Sequence, residues 1–144
     1  MSLEPRVGEV CSRRYVTVSR RRRVVEVARA MAGRWMPCVV VVEEGIPVGI
    51  ITKQTLVKDV LARGYTGMEL TAGDVMRAPI VTVDAGVGAR ETAALMARTR
   101  LRYLAVTDRG RLVGLLSEGH VARLLPSLTA MDPPPPGPRH SGAA

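Results

Sequence analysis

Apolar and polar positions along the chain fall into short blocks whose period changes from block to block. Val24, Ala28, Met31 and Trp35 sit at the spacing of one helix face. The β-branched run Val39 to Val42 then predicts a strand, and Glu43-Glu44-Gly45 is a turn sequence with Gly where a positive φ is needed. A second strand follows over Val48 to Ile51. Thr52 stands where an N-cap belongs, ahead of Leu56, Val57, Val60 and Leu61. With the extended segment Tyr15 to Val18 in front, the predicted order is β-α-β-β-α.

The same order recurs. Val16-Thr17-Val18 returns as Val81-Thr82-Val83, an offset of 65 residues. Without a gap, that offset pairs Gly8 with Gly73, Glu26 with Glu91, and Met31-Ala32 with Met96-Ala97. It goes on to pair Val41 with Val106, Gly45 with Gly110, Val48-Gly49 with Val113-Gly114, and Thr52 with Ser117. The second unit therefore predicts strands over Ile80 to Val83, Leu104 to Val106 and Leu112 to Leu116. Its helices carry Ala89, Ala93 and Met96, then Val121, Leu124 and Leu125. A fixed internal period marks a duplicated supersecondary unit. Gly64 and Gly67 break the link between copies, and Thr71-Ala72-Gly73-Asp74 resembles a capping box opening one helical turn. From Asp132 the chain reads Pro-Pro-Pro-Pro-Gly-Pro, which cannot supply a core and suits a polyproline-like, disordered tail.

Composition adds limits. A chain of 144 residues with 47% apolar positions is long enough for a core without disulfides. No apolar run approaches the roughly 18 residues of a membrane helix. No secretory leader is visible, so the expected compartment is the cytoplasm. The net charge is +8, with 19 Arg against two Lys, and residues 1 to 34 hold +6 of it. The charge favours an anionic partner, whereas codon bias or a hot environment is the first reading of the excess of Arg over Lys. Arg20-Arg21-Arg22-Arg23, with Arg13 and Arg14, invites a nucleic-acid reading. Aromatic residues total only 3%, which disfavours a stacking platform for single strands and leaves a solvated face or dimer contact as the first reading.

Two copies of β-α-β-β-α, each with the segment Gly49-Ile50-Ile51-Thr52 or Gly114-Leu115-Leu116-Ser117, resemble the CBS domain, the module named after cystathionine β-synthase. In tandem they are similar to a CBS pair, or Bateman module, of the stand-alone archaeal or thermophile kind. The resemblance covers about residues 5 to 128. It divides the chain into a first repeat (1–66), a second repeat (67–130) and a Pro-rich tail (131–144). It implies an α/β (α+β) fold in which two pseudo-twofold-related repeats pack through their sheets and leave two clefts between them. It also implies a regulatory, non-catalytic role, with AMP, ADP, ATP or S-adenosylmethionine as ligand and no other cofactor. A homodimer and an unidentified regulated protein are the implied partners, with neither nucleic acid nor a membrane.

The resemblance also assigns residues. The family's Thr or Ser facing ribose and phosphate corresponds to Thr52 and Ser117, and its ribose-binding Asp is replaced by Thr55 and His120. Its basic residue against phosphate corresponds to Arg102, with Pro37 in the other copy. One cleft is expected to gather Cys11, Met36, Arg102, Tyr103, Leu115, Ser117 and His120. The other is expected to gather Pro37, Cys38, Ile50, Thr52, Thr55, Thr71, Met76 and Leu101. Thr52 and Ser117 also read as plain helix caps. An adaptor with empty clefts, or a nucleic-acid-binding protein using the Arg-rich surface, are the alternatives. No nucleophile, carboxylate pair, phosphate-binding Gly loop or zinc-ligand spacing appears, so catalytic and metal-binding residues are not expected.

Overall fold

The computed structural model describes residues 4–128. The 65-residue period of the sequence becomes a period of elements. The first copy runs α1 (Val7–Val10), β1 (Thr17–Val18), α2 (Val24–Arg34), β2 (Cys38–Glu43), β3 (Ile46–Thr52) and α3 (Lys53–Thr55), which continues as a π-helical turn over Leu56–Leu61. The second runs α4 (Ala72–Val75), β4 (Thr82–Asp84), α5 (Ala89–Thr99), β5 (Tyr103–Asp108), β6 (Arg111–Ser117) and α6 (Glu118–Leu128). Val41 opposes Gly49 and Val106 opposes Gly114, so the two copies occupy equivalent strands.

Each copy makes a three-stranded sheet, ordered β1-β2-β3 or β4-β5-β6, with a parallel first pair and an antiparallel second pair. The hairpins close on two residues, Glu44-Gly45 and Arg109-Gly110, and all four have positive φ, between 51° and 83°. That is the geometry of a type I′ turn, whose twist matches the flanking strands and which needs Gly at its second position.

The central strands are apolar throughout because both of their faces are buried. Val39 and Val41 face α2 in the core of the first copy, and Leu104 and Val106 face α5 in the core of the second. Their alternate neighbours Cys38, Val40 and Ala105 join Ile80 and Leu115 in a third cluster between the two sheets. Burying each such aliphatic side chain contributes about 1.5–3 kcal/mol.

The copies exchange their first helices. Val7 and Cys11, from the α1 segment, lie in the core of the second copy, whereas Ala72 and Val75 of α4 lie in that of the first. Backbone hydrogen bonds tie each exchange. Val7 N–H donates to Val87 (2.7 Å) and Gly8 N–H to Ala85 (3.0 Å), matched by Ala72 to Arg22 (2.7 Å) and Gly73 to Arg20 (3.0 Å).

Three sequence expectations need correction. Trp35 is not on the core face of α2: it ends that helix in the left-handed conformation (φ 55°), which turns its side chain out to 91% exposure. Val57 and Leu61 do not share a buried face with Leu56 and Val60; the π-helical winding leaves both exposed and buries Val60. Tyr15 and Val16 precede β1, and Ile80 and Val81 precede β4, rather than belonging to those strands. The predicted Pro-rich tail lies outside the described residues.

Candidate functional site

Two clefts open where the ends of β3 and β6 meet the opposite copy. Cleft A, about 390 Å³, is lined by Ile50, Thr52, Gln54 and Thr55 of the first copy. Arg77, Pro79, Ile80, Val81, Arg100, Leu101, Arg102 and Tyr103 of the second complete it. Cleft B, about 280 Å³, is lined by Ser12, Arg14, Trp35, Met36 and Pro37 of the first copy with Tyr103, Leu115, Ser117, His120 and Arg123 of the second. Both therefore combine an apolar floor with a few polar groups, the usual make-up of a small-molecule site.

The Thr and Ser at the strand ends are capping residues. Thr52 Oγ1 accepts from Thr55 N–H (3.2 Å), and Thr55 Oγ1 accepts in return from Thr52 N–H (3.2 Å). This reciprocal box buries Thr55 to 2% exposure. Ser117 Oγ accepts from His120 N–H at 3.0 Å. The His120 ring is also engaged. Its Nε2 lies 2.6 Å from the Val10 carbonyl, and its Nδ1 lies 3.3 Å from an Arg123 guanidinium nitrogen. A carbonyl only accepts and a guanidinium only donates, so Nε2 faces an acceptor and Nδ1 a donor. Tyr103 borders both clefts, and burial is the main cause raising its phenol above the ordinary range, which keeps it a hydroxyl donor.

The expected grouping of residues is only partly realised. Ile50, Thr52, Thr55 and Leu101 come together in cleft A, while Met36, Leu115, Ser117 and His120 come together in cleft B. Arg102 and Pro37 are exchanged relative to expectation: Arg102 joins Thr52 in cleft A, and Pro37 joins Ser117 in cleft B. The reason is backbone pairing across the cleft-forming ends of each sheet. Lys53 N–H donates to Pro37 and Glu118 N–H to Arg102, so each of these residues stays beside its own copy's last strand while its side chain faces the other copy's cleft.

Four expected residues line neither cleft. Cys11 is buried in the second core against Gly114, where a Cβ would overlap its Sγ. Cys38 is 1% exposed between the sheets, and that burial pushes its thiol up to about 12. Thr71 caps α4 by accepting from Asp74 N–H (3.3 Å), and Met76 packs against Gly49. The sequence reading missed Ser12, Arg14, Trp35 and Arg123 in cleft B, and Gln54, Arg77, Pro79, Ile80, Val81 and Arg100 in cleft A. Ser12 and Arg77 are carried there by the exchanged helices, since Ser12 bridges Leu115 and Arg77 bridges Ile50. Nothing local in the sequence signals that crossing, although the matching 65-residue offset does link the two positions.

The arginine run is largely engaged within the molecule. Arg20 pairs with Glu43, Arg22 pairs with Glu26 (3.0 Å), and Arg23 donates to the Met68 carbonyl (2.6 Å). Arg21 alone of the four has no hydrogen bond or ion pair among the described residues. No helix among those residues is long and apolar enough to cross a membrane.

Comparison with known proteins agrees with this architecture. The family model described as CBS domain matches residues 7–62 and again 72–127. An uncharacterized protein of Methanopyrus kandleri is 34% identical over 126 residues, which span 86% of this chain and 64% of that protein. The chain thus covers less than two thirds of that relative. Among solved structures, a putative signal-transduction protein with CBS domains from Burkholderia ambifaria is similar, with TM-score 0.69 and 25% identity over 88% of this chain and 90% of that one. CBSX2, solved in complex with AMP, is similar in fold, with TM-score 0.71 and 21% identity over 87% and 98% of the two chains. With two in-register repeats, exchanged first helices and a family match to each, the chain belongs to the CBS domain family as a tandem pair.

Proposed function

We propose that this CBS pair is a non-catalytic regulatory module that binds an adenosine nucleotide, AMP or a close relative, in the clefts between its repeats. The observation that carries the reading is cleft A. There Arg100 and Arg102, without ion pairs among the described residues, stand beside the Thr52 cap over a floor of Ile50, Ile80 and Leu101. A phosphate there gains charge-assisted, bidentate contacts, and a planar base gains apolar contact. The AMP held by CBSX2 supports the choice of ligand. The role follows from what such a ligand does to two half-sites: it bridges the repeats and biases their arrangement, which an attached or partner protein reads. The protein acts in the cytoplasm as a homodimer in this reading.

The engaged arginines of the 20–23 run argue against the nucleic-acid alternative, because pairing with Glu43 and Glu26 already neutralises two of them. A thermal-shift panel with AMP, ADP, ATP, S-adenosylmethionine and a short oligonucleotide tests the proposal. A nucleotide at 100 times its Kd should add about 2.7 kcal/mol of stability, while the oligonucleotide should add none. Stabilisation by the oligonucleotide alone would replace the sensor with the nucleic-acid reading.

A further inference from the structure

The 65-residue register sets three positions of cleft A against three of cleft B, and the pairs have diverged in charge. Arg77, Arg100 and Arg102 line cleft A; Ser12, Trp35 and Pro37 hold the same places in cleft B. The equivalence is structural as well as numerical. Ser12 and Arg77 make matching bridges to Leu115 and Ile50, and Trp35 and Arg100 are left-handed helix caps with φ of 55°. The Pro37 and Arg102 carbonyls accept from Lys53 and Glu118.

Cleft A has no carboxylate among its lining residues, and Asp59 reaches only Arg77, at 3.7 Å. Three guanidinium groups around an apolar floor concentrate positive potential, and a chain of several phosphates matches it better than one does. Cleft B likewise has no carboxylate but holds two guanidinium groups, Arg14 and Arg123, the second of them engaged by the His120 ring. Its rim instead carries the exposed indole of Trp35, a flat face suited to stacking a base.

We propose that the clefts take different ligands: cleft A a nucleotide with two or more phosphates, cleft B a nucleoside or nucleoside monophosphate whose base stacks on Trp35. This rests on the adenosine-nucleotide reading above. Trp35 is the single tryptophan, so its fluorescence reports cleft B. The full chain is titrated with adenosine, AMP, ATP and inorganic tripolyphosphate, followed by fluorescence and by calorimetry. The same titrations are made on the Arg100→Ala/Arg102→Ala double variant and on Trp35→Arg. Adenosine should quench Trp35 equally in the wild type and the double variant. ATP should bind in a separate event that tripolyphosphate competes away without quenching, and the double variant should weaken it about 10- to 150-fold. Trp35→Arg should lose adenosine and gain a second ATP site. Unchanged ATP affinity in the double variant, or competition of ATP and adenosine for one quenching site, overturns the division while leaving nucleotide binding intact. If adenosine, AMP and ATP all fail to bind the wild type, the adenosine-nucleotide reading falls and the division falls with it.

Discussion

Gly114 lies where the exchanged N-terminal segment crosses β6, and a methyl group there would overlap Cys11 Sγ. Such overpacking typically costs about 1–3 kcal/mol. Gly114→Ala should therefore lower stability by that amount in chemical denaturation, and adding Cys11→Ala should recover much of the loss. Equal destabilisation of the single and double variants would show that Cys11 is not the obstacle. The glycine itself was plain in the repeated Gly-Ile-Ile-Thr and Gly-Leu-Leu-Ser segments. Its reason was not, because the side chain that requires it comes from the other end of the chain. The cysteines make a second residue-scale case. Burial raises both thiols, Cys38 to about 12, so neither supplies much thiolate at neutral pH. Native protein should resist alkylation by iodoacetamide at pH 7.5, and denatured protein should take up two equivalents. Rapid native labelling of Cys38 would mean that the sheet-to-sheet layer opens.

Helix starts carry the next level of organisation. The Arg23 and Arg22 contacts hold the Glu26 carboxyl below its ordinary 4.5, led by the Arg23 amide, and the Thr71 amide holds Asp74 below 3.8. A depressed carboxyl stabilises the fold fully above its unfolded pKa, and the contribution is lost as the pH falls through the lower folded value. Melting temperature should thus drop as the pH falls below the ordinary carboxyl values of 4.5 and 3.8, and Glu26→Gln with Asp74→Asn should flatten part of that drop while lowering stability at pH 7. An identical slope in the variant would remove these caps as its cause. Element by element, helices were legible because the 3.6 period is carried by several residues, and the central strands because their apolar runs are continuous and bounded by turn residues. The errors fell where one backbone conformation overrides the period. Trp35 fits the apolar spacing of α2 but takes the left-handed cap, and the π-helical turn moves Val57 and Leu61 off the face that spacing assigns them.

At the scale of the molecule, the exchange of α1 and α4 makes each core depend on the other copy. A chain beginning at residue 67 lacks Val7 and Cys11, which complete the second core, and should not fold cooperatively alone. Adding a peptide of residues 4–12 should restore part of its structure by circular dichroism; full folding without the peptide would show that the exchange is dispensable. The same crossing explains how far the clefts could be read from sequence. Strand-end residues such as Thr52 and Ser117 were identifiable from their own motif. The assignment of Arg102 and Pro37 to clefts was reversed, because it depends on which copy each side chain faces across the interface. The central claim is that the phosphates of a nucleotide bind at Arg100 and Arg102 beside Thr52. Calorimetric titration of the full chain and of Arg102→Ala with ATP tests it most directly. The account predicts saturable binding by the wild type and a loss of about 10- to 150-fold in the variant. Absence of binding at millimolar ATP, or equal affinity in the two proteins, would contradict it.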